Sequence, residues 1–364
     1  MRIMHIADLH LGCRMYDKQQ REEDFYEALR RVGDIALENS VEAVLISGDM
    51  FDTAKPPAKA VCEVSEFVEK MRTEGVDVVG IEGNHDTTQD NYWLRVCGIW
   101  PLGAAPFENS MTGVRIAGFN HCPTDRLFDE LEAFANECEA KKEEWPVVSL
   151  HLGLAEMGSG FNPDASAMQL VPLLKRIGCK YLALGHIHIP MEQFFDGISF
   201  VQPGSLELKS IDEPEQKSVE ILEILDGKVA QKRVPYRTRR VVHVSINSEE
   251  DVQKLADEVG KVSDAFVVAF VDKGIMDGIA RVSEILSKCA VFRVISRAAL
   301  EDNTLTFERK KAMNFLMDAI TAYFPKDSIR YNLITRIIST GDPRSALEDL
   351  MNSELDLSEE TKGE

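Results

Sequence analysis

Five of the eight histidines in this chain stand directly behind short apolar runs, and that placement constrains the fold more than any other feature. The runs Arg2–Ala7, Val41–Ser47, Val76–Glu82, Pro146–Leu150 and Lys180–Leu184 each have the length of a buried strand. They lead into Asp8-Leu9-His10, Gly48-Asp49, Gly83-Asn84-His85-Asp86, His151 and Gly185-His186-Ile187-His188. Open α/β sheets bind ligands beyond the carboxyl ends of their strands. Five strand ends carrying oxygen or nitrogen donors therefore predict one convergent metal site in an α/β fold.

The chain has 364 residues, enough for one large α/β domain with one or two small ones. It is 44 % hydrophobic, which supplies ample material for a core. Asp8 and His10 interrupt the first apolar run, so no leader peptide is expected. No run approaches the ~20 apolar residues of a membrane span. The seven cysteines are scattered and form no C-x-x-C pair, which predicts reduced thiols and a cytoplasmic location. The net charge of −20 argues against tight nonspecific DNA binding by the whole surface, while leaving room for a local basic strip.

Strand-like and helix-like patterns alternate over residues 1–235. Arg21–Leu37 and Ala58–Met71 carry apolar residues at helical spacing, and Ile198–Val201 and Val219–Leu225 continue the strands. Pro235–Arg240 reads as a boundary. Residues 241–300 restart as a small β-α-β-α-β unit, through Val241–Ile246, a helix marked by Val252, Leu255, Ala256 and Val259, then Phe266–Val271, Ile275–Leu286 and Val291–Ile295. With no metal-spaced residues, this unit reads as a capping or substrate-gripping domain. Residues 305–352 are expected to be helical, with apolar stripes at Met313, Leu316, Met317, Ile320 and Phe324 and at Leu347, Leu350 and Met351. Residues 353–364 read as a disordered acidic tail.

Asp8 and His10 are two residues apart, as are His186 and His188. In extended backbone that spacing points both side chains of a pair the same way. With Asp49, Asn84 and His151 these pairs make seven mixed donors, more than one cation uses comfortably. Two cations sharing a carboxylate fit the number, and Asp49 is the natural bridge. Such a pair, about 3.5–4 Å apart, activates water and clamps both oxygens of an in-line displacement at phosphorus. Each motif alone has a bland reading: a surface Asp-x-His, a Gly-Asn turn, a helix cap. Their joint order points to phosphoester hydrolysis.

Asp8-x-His10, Gly48-Asp49-x-Phe51-Asp52, Gly83-Asn84-His85-Asp86, His151 and Gly185-His186-x-His188 resemble the calcineurin-like metallophosphoesterase signature. With Ala7-Asp8-Leu9-His10-Leu11-Gly12 and Arg21-Glu22-x-Asp24-Phe25, the chain more narrowly resembles the SbcD / meiotic-recombination-eleven nucleases of double-strand-break repair. The resemblance implies a layered β-sandwich flanked by helices, a small α/β capping domain and a helical tail. It implies one metal held by Asp8, His10, Asp49 and His188, and a second held by Asp49, Asn84, His151 and His186. Two Mn²⁺ ions per subunit are implied, although mixed His/carboxylate sites also accept Fe, Zn or Co. Further implications are 3′→5′ exonuclease and single-strand endonuclease activity on DNA, a homodimer, and an SMC-like coiled-coil ATPase of the SbcC type, bound through the region after the capping domain.

His85 adjoins a ligand without needing to be one. It reads as the group that protonates the leaving 3′ oxygen or stabilises transition-state charge, or else as a residue orienting Asn84. Asp86 is expected to hold its tautomer. Asp52 departs from relatives that place a phosphate-contacting histidine there. His5 reads as an interior histidine, His121 as a residue near the cleft or elsewhere, and His243 as outward-facing. Arg14, Lys18, Arg21, Lys55 and Lys59 follow the first two ligand loops and are candidate DNA-backbone contacts, against an ordinary charged face. Tyr92, Trp93, Val96, Ile99 and Trp100 are core or a dimer contact. Against the nuclease reading stand another calcineurin-like phosphatase acting on a small phosphoester, and a non-catalytic scaffold. The phosphatase continuation x-x-Asp-Arg-Gly is absent after Gly48-Asp49.

Overall fold

The computed structural model describes residues 1–109, 115–157, 163–210, 213–225, 228–275 and 277–296. The helical region expected over 305–352, with its two apolar stripes, and the tail 353–364 lie outside the described residues. From the N-terminus run β1 (Arg2–Ile6), α1 (Gln19–Glu38), β2 (Ala43–Ser47), α2 (Ala58–Thr73), β3 (Asp77–Ile81), α3 (Tyr92–Val96) and β4 (Trp100–Pro101). Then come β5 (Phe107–Glu108), β6 (Arg115–Gly118), α4 (Thr124–Lys141), β7 (Val147–His151), α5 (Ala167–Ile177), β8 (Tyr181–Gly185), β9 (Met191–Phe195) and β10 (Ile198–Gln202). The chain continues through β11 (Gln216–Leu225), β12 (Lys228–Arg237), β13 (Val241–Ile246), α6 (Glu249–Glu258), β14 (Phe266–Val271), α7 (Gly278–Leu286) and β15 (Val291–Ser296).

Two six-stranded sheets form the larger part of the fold, in the orders β12-β11-β1-β2-β3-β4 and β5-β6-β7-β8-β10-β9. Their central strands are parallel, in register such as Ile6 with Ile46 and Leu150 with Leu184; antiparallel strands close three of the four edges, and β4 runs parallel to β3 at the fourth. Strand alternation explains the layering. Ile3, Leu45, Val79 and Ile81 from one sheet meet Ile116, Val147, Tyr181 and Val201 from the other in a shared core. The opposite faces, with Met4, Ile6, Val44 and Ile46 on one sheet, pack on Phe25, Leu29, Val64 and Phe67 of α1 and α2. Val148, Leu150, Leu182 and Phe200 of the second sheet pack against Leu131, Leu170 and Leu174 of α4 and α5. This is the helix-flanked β-sandwich expected from the sequence, and all five apolar runs are its strands, with bounds shifted by one or two residues.

Compact packing divides the described residues into one unit within 1–242, 259–267 and 287–293 and another within 243–258, 268–286 and 294–296. The β-α-β-α-β alternation after residue 240 is present, with a small sheet ordered β13-β14-β15. Val252 and Leu255 of α6 and Val282 and Leu286 of α7 are buried.

Candidate metal centre

The loops after β1, β2, β3, β7 and β8 meet at the carboxyl ends of their strands. Backbone bonds zip the first two together: Asp8 N–H to Gly48 O at 3.2 Å, His10 N–H to Asp49 O at 3.0 Å and Leu11 N–H to Met50 O at 3.0 Å. The expectation that Asp8/His10 and His186/His188 share a direction through extended backbone is corrected here. Asp8 (φ 53°), His10 (φ 45°), Asp49 (φ 50°) and His186 (φ 98°) all lie at positive φ, beyond the ends of their strands. Non-glycine residues there are held against a local cost of about 1–3 kcal/mol each, which marks a site the surrounding fold over-determines. Gly83 permits a close approach, since a Cβ there would lie 2.2 Å from Asp49 Oδ1.

Seven donors converge. His10 Nε2 lies 3.0 Å from His188 Nε2 and 3.7 Å from Asp49 Oδ2. On the other side His151 Nε2 lies 3.4 Å from the same Asp49 Oδ2 and 3.0 Å from Asn84 Oδ1. Asn84 Oδ1 is also 3.0 Å from His186 Nδ1. Asp8 completes the first group with His10 and His188, and joins Asp49 and His151 in a second. Its carboxylate accepts the backbone N–H of His186 and, at 3.2 Å, the side-chain amide of Gln202.

The electrostatics are those of a cage short of positive charge. Burial raises the pKa of Asp8 and lowers that of His10 to about 4. Burial also opposes charge on Asp49 and His151, yet their mutual hydrogen bond and attraction win. Asp49 is held below the usual carboxylate range, and His151 is pushed up to about 9. Two buried carboxylates thus draw a proton onto a buried imidazole, in the place where a cation supplies the charge. Borderline nitrogen donors mixed with carboxylate and amide oxygens fit a divalent first-row metal.

His85 is partly exposed, with Nδ1 on the main-chain oxygen of Asp52 at 2.8 Å and Nε2 4.0 Å from Asp49 Oδ2. Its ring stands 4.8 Å from that of His10. The expected tautomer-holding role of Asp86 is corrected, because its oxygens accept the backbone amides of Phe51 (3.1 Å) and Gly83 (2.8 Å) and so tie two ligand loops together. Burial, then the Asp49 charge, raises the Asp86 carboxyl to about 7. Asp52 turns toward His10 Nδ1 (3.3 Å) and Lys209 Nζ (2.9 Å).

Arg21 is corrected as a DNA contact. It is fully buried, bound to Asp24 at 2.6 Å and Glu207 at 3.0 Å. Arg14, Lys55 and Lys59 are exposed and Lys18 half-buried, with Arg14 paired to Glu22 and Lys59 to Glu23. His5 is interior, with Nδ1 2.9 Å from Tyr181 Oη, and His243 faces outward. His121 reaches the main-chain oxygen of His151 at 3.1 Å. Tyr92, Val96 and Trp100 are exposed, whereas Ile99 is buried and Trp93 half-buried. Sequence reasoning missed Gln202, Lys209, Glu213 and Asp164, which sit in no motif and reach the centre through tertiary folding alone.

The calcineurin-like phosphoesterase family profile matches residues 1–190. The DNA double-strand break repair protein Mre11 of Thermoplasma acidophilum is 29 % identical over 276 residues, covering 71 % of this chain and 70 % of that protein. Mre11 of Haloferax volcanii is 27 % identical, covering 73 % of this chain and 60 % of that protein. Mre11 of Archaeoglobus fulgidus is 27 % identical, covering 57 % and 50 %. The chain thus spans between half and seven-tenths of the length of these relatives. Its two-sheet fold, its convergent donors and the match across more than half its length agree: the chain belongs to the calcineurin-like phosphoesterase family.

Proposed function

We propose that the chain is a two-metal phosphodiesterase that cuts DNA in double-strand-break repair, with 3′→5′ exonuclease and single-strand endonuclease activities. The observation that carries this reading is the approach of both His10 and His151 to one oxygen of Asp49, at 3.7 and 3.4 Å. A carboxylate flanked in this way suits a bridge between two cations. Asp8, His10 and His188 would complete one half, and Asn84, His151 and His186 the other. Manganese, two ions per subunit, is the proposed metal. When bound, such a pair supplies Lewis acidity toward the phosphoryl oxygens and activates water.

The chain's own residues prepare the rest. His151 donates Nδ1–H to the Ser47 carbonyl at 2.8 Å, which aims the Nε2 lone pair into the cage. His85 presents Nε2 at the rim and, when both ring nitrogens carry a proton, would pass the Nε2 proton to the leaving 3′ oxygen and keep the Nδ1–H on the Asp52 main-chain oxygen. Arg14, Lys18, Lys55 and Lys59 are the proposed backbone contacts, few against an acidic body. We assign the exposed Tyr92, Val96 and Trp100 to a homodimer contact, and the 305–352 region to an SMC-like coiled-coil ATPase of the SbcC type. All seven cysteines are free thiols, in keeping with a cytoplasmic setting. Among the described residues no helix is long and apolar enough to cross a membrane.

The test is manganese-dependent cleavage of 3′-ended duplex DNA beside a chromogenic phosphodiester, with and without the ATPase. Cleavage of the DNA supports the reading. Hydrolysis of the chromogenic ester alone moves the chain to a small-molecule phosphoesterase, and inactivity on both makes it a scaffold.

A further inference from the structure

We infer that Asp52 and Glu213 are positioning residues that make the Asp8–His10–His188 half of the centre its tighter metal-binding half, filled before the Asn84–His151–His186 half. This rests on the two-metal reading above.

The Nε2 atoms of His10 and His188 lie 3.0 Å apart; the outer nitrogen of His188 is hydrogen-bonded to a carboxylate and that of His10 lies beside one. His188 Nδ1 lies 3.0 Å from Glu213 Oε1, and His10 Nδ1 lies 3.3 Å from Asp52 Oδ1. A ligating Nε2 must present its lone pair, so with metal bound each neutral ring would carry its proton on Nδ1, facing its carboxylate. Lys209 Nζ is 2.9 Å from both His10 Nδ1 and Asp52 Oδ1. As the side chains stand Lys209 hydrogen-bonds His10 Nδ1; once Nε2 ligates a metal and Nδ1 carries the proton, Lys209 would be left to Asp52 alone.

Both carboxylates are themselves fixed. Glu213, with a side chain only 6 % exposed, accepts Lys217 Nζ at 2.6 Å, Ser205 Oγ at 2.8 Å and the backbone N–H groups of Lys209 and Ser210. These bonds keep it anionic and aimed at His188.

The other half lacks this backing. His151 Nδ1 donates to the neutral carbonyl of Ser47, and His186 Nε2 lies 4.0 Å from Asp164 Oδ2, beyond hydrogen-bond reach. Asp164 Oδ2 instead accepts the Gly153 N–H at 2.7 Å. An anionic acceptor makes an imidazole a stronger donor and adds charge facing the cation, and losing such a partner typically costs about 10–100-fold in metal affinity.

The experiment adds Mn²⁺ to EDTA-stripped full-length protein, read by calorimetry and by electron paramagnetic resonance, without turnover. The parent should bind two ions in resolved steps, an isolated-ion spectrum preceding a coupled one. His188→Ala should remove the tight step and His186→Ala the weak one. D52N and E213Q should each weaken the tight step by about 10–100-fold and leave the weak step in place. E213Q also strips buried Lys217 of its counter-ion, so if it fails to fold, D52N decides alone. Unchanged steps in D52N, a loss confined to the weak step, or a single unresolved step in the parent overturns the inference. A parent that binds fewer than two ions overturns the two-metal reading itself.

Discussion

The Nδ1 atom of His85 lies 2.8 Å from the main-chain oxygen of Asp52, so Nδ1 is the donor and Nε2 is left as the working edge. A main-chain acceptor holds the ring whatever the Asp52 side chain does. The nitrogen facing the centre is 4.0 Å from Asp49 Oδ2, and although His85 clusters with His10 and Asp52 we place it outside the ligand set. His85→Asn should therefore lower the cleavage rate by about 10²–10⁴-fold, the usual scale for a lost general acid. Metal content by plasma emission should stay at the parent's value. Metal lost in step with activity would make His85 a ligand.

Asp49 has a different signature. Its Oδ2 is approached by His10 and His151, and its Oδ1 accepts the His85 backbone N–H at 2.9 Å. Asp49→Ala should deplete both ions together and disturb the His85 loop, whereas His186→Ala should deplete one. Two full equivalents of metal retained in Asp49→Ala would end its role as the bridge.

How much of this could be read in the sequence depends on what kind of information each residue carries. Asp8, His10, Asp49, Asn84, His151, His186 and His188 follow apolar runs, so local pattern alone places them at one end of a sheet. Their positive φ values were not legible, because strained backbone is imposed by the bonds between loops and not by propensity. Arg21 misleads in the sequence: it follows a ligand loop as a DNA contact would, yet Asp24, three residues on, and Glu207, far along the chain, bury it. Glu213 and Lys209 bear on His188 and His10 through tertiary contacts with no spacing rule behind them. The two-residue β4 and β5 leave no apolar run long enough to find.

His5 gives the protein an acid-sensitive element apart from its catalysis. Burial between the sheets lowers its pKa from 6.5 to about 3, and its Nε2 has no hydrogen-bond partner among the described residues. The folded state therefore keeps the ring neutral while the unfolded chain takes a proton below pH 6.5. A depressed folded-state pKa contributes stability that is present above the unfolded value and lost as pH falls toward the folded one. Between pH 6.5 and 5 the metal-free parent should lose about 2 kcal/mol more than His5→Gln, from roughly 1.4 kcal/mol per pH unit. Urea unfolding in EDTA at several pH values checks this. Parallel pH profiles for the two proteins would show that the fold protonates His5 after all.

Arg21 and its neighbours separate a structural cation from binding ones. Arg21 is fully buried with bonds to Asp24, Glu207 and the Leu208 main-chain oxygen. Removing one partner of a buried ion pair strands the other charge, at about 3–5 kcal/mol. Arg21→Ala should therefore lower the urea midpoint sharply, and what remains folded should show the parent's salt dependence of DNA binding. Arg14 is exposed, and its pairing with Glu22 adds little that salt and water do not already screen. Each phosphate contact adds about 0.9 to the slope of log affinity against log salt. Replacing Arg14 and Lys18 together by Gln should flatten that slope by up to about 2, with the urea midpoint close to the parent's. An unchanged slope in that double variant would move the DNA path away from the first ligand loop, and a flattened slope in Arg21→Ala would restore the buried arginine to the binding surface.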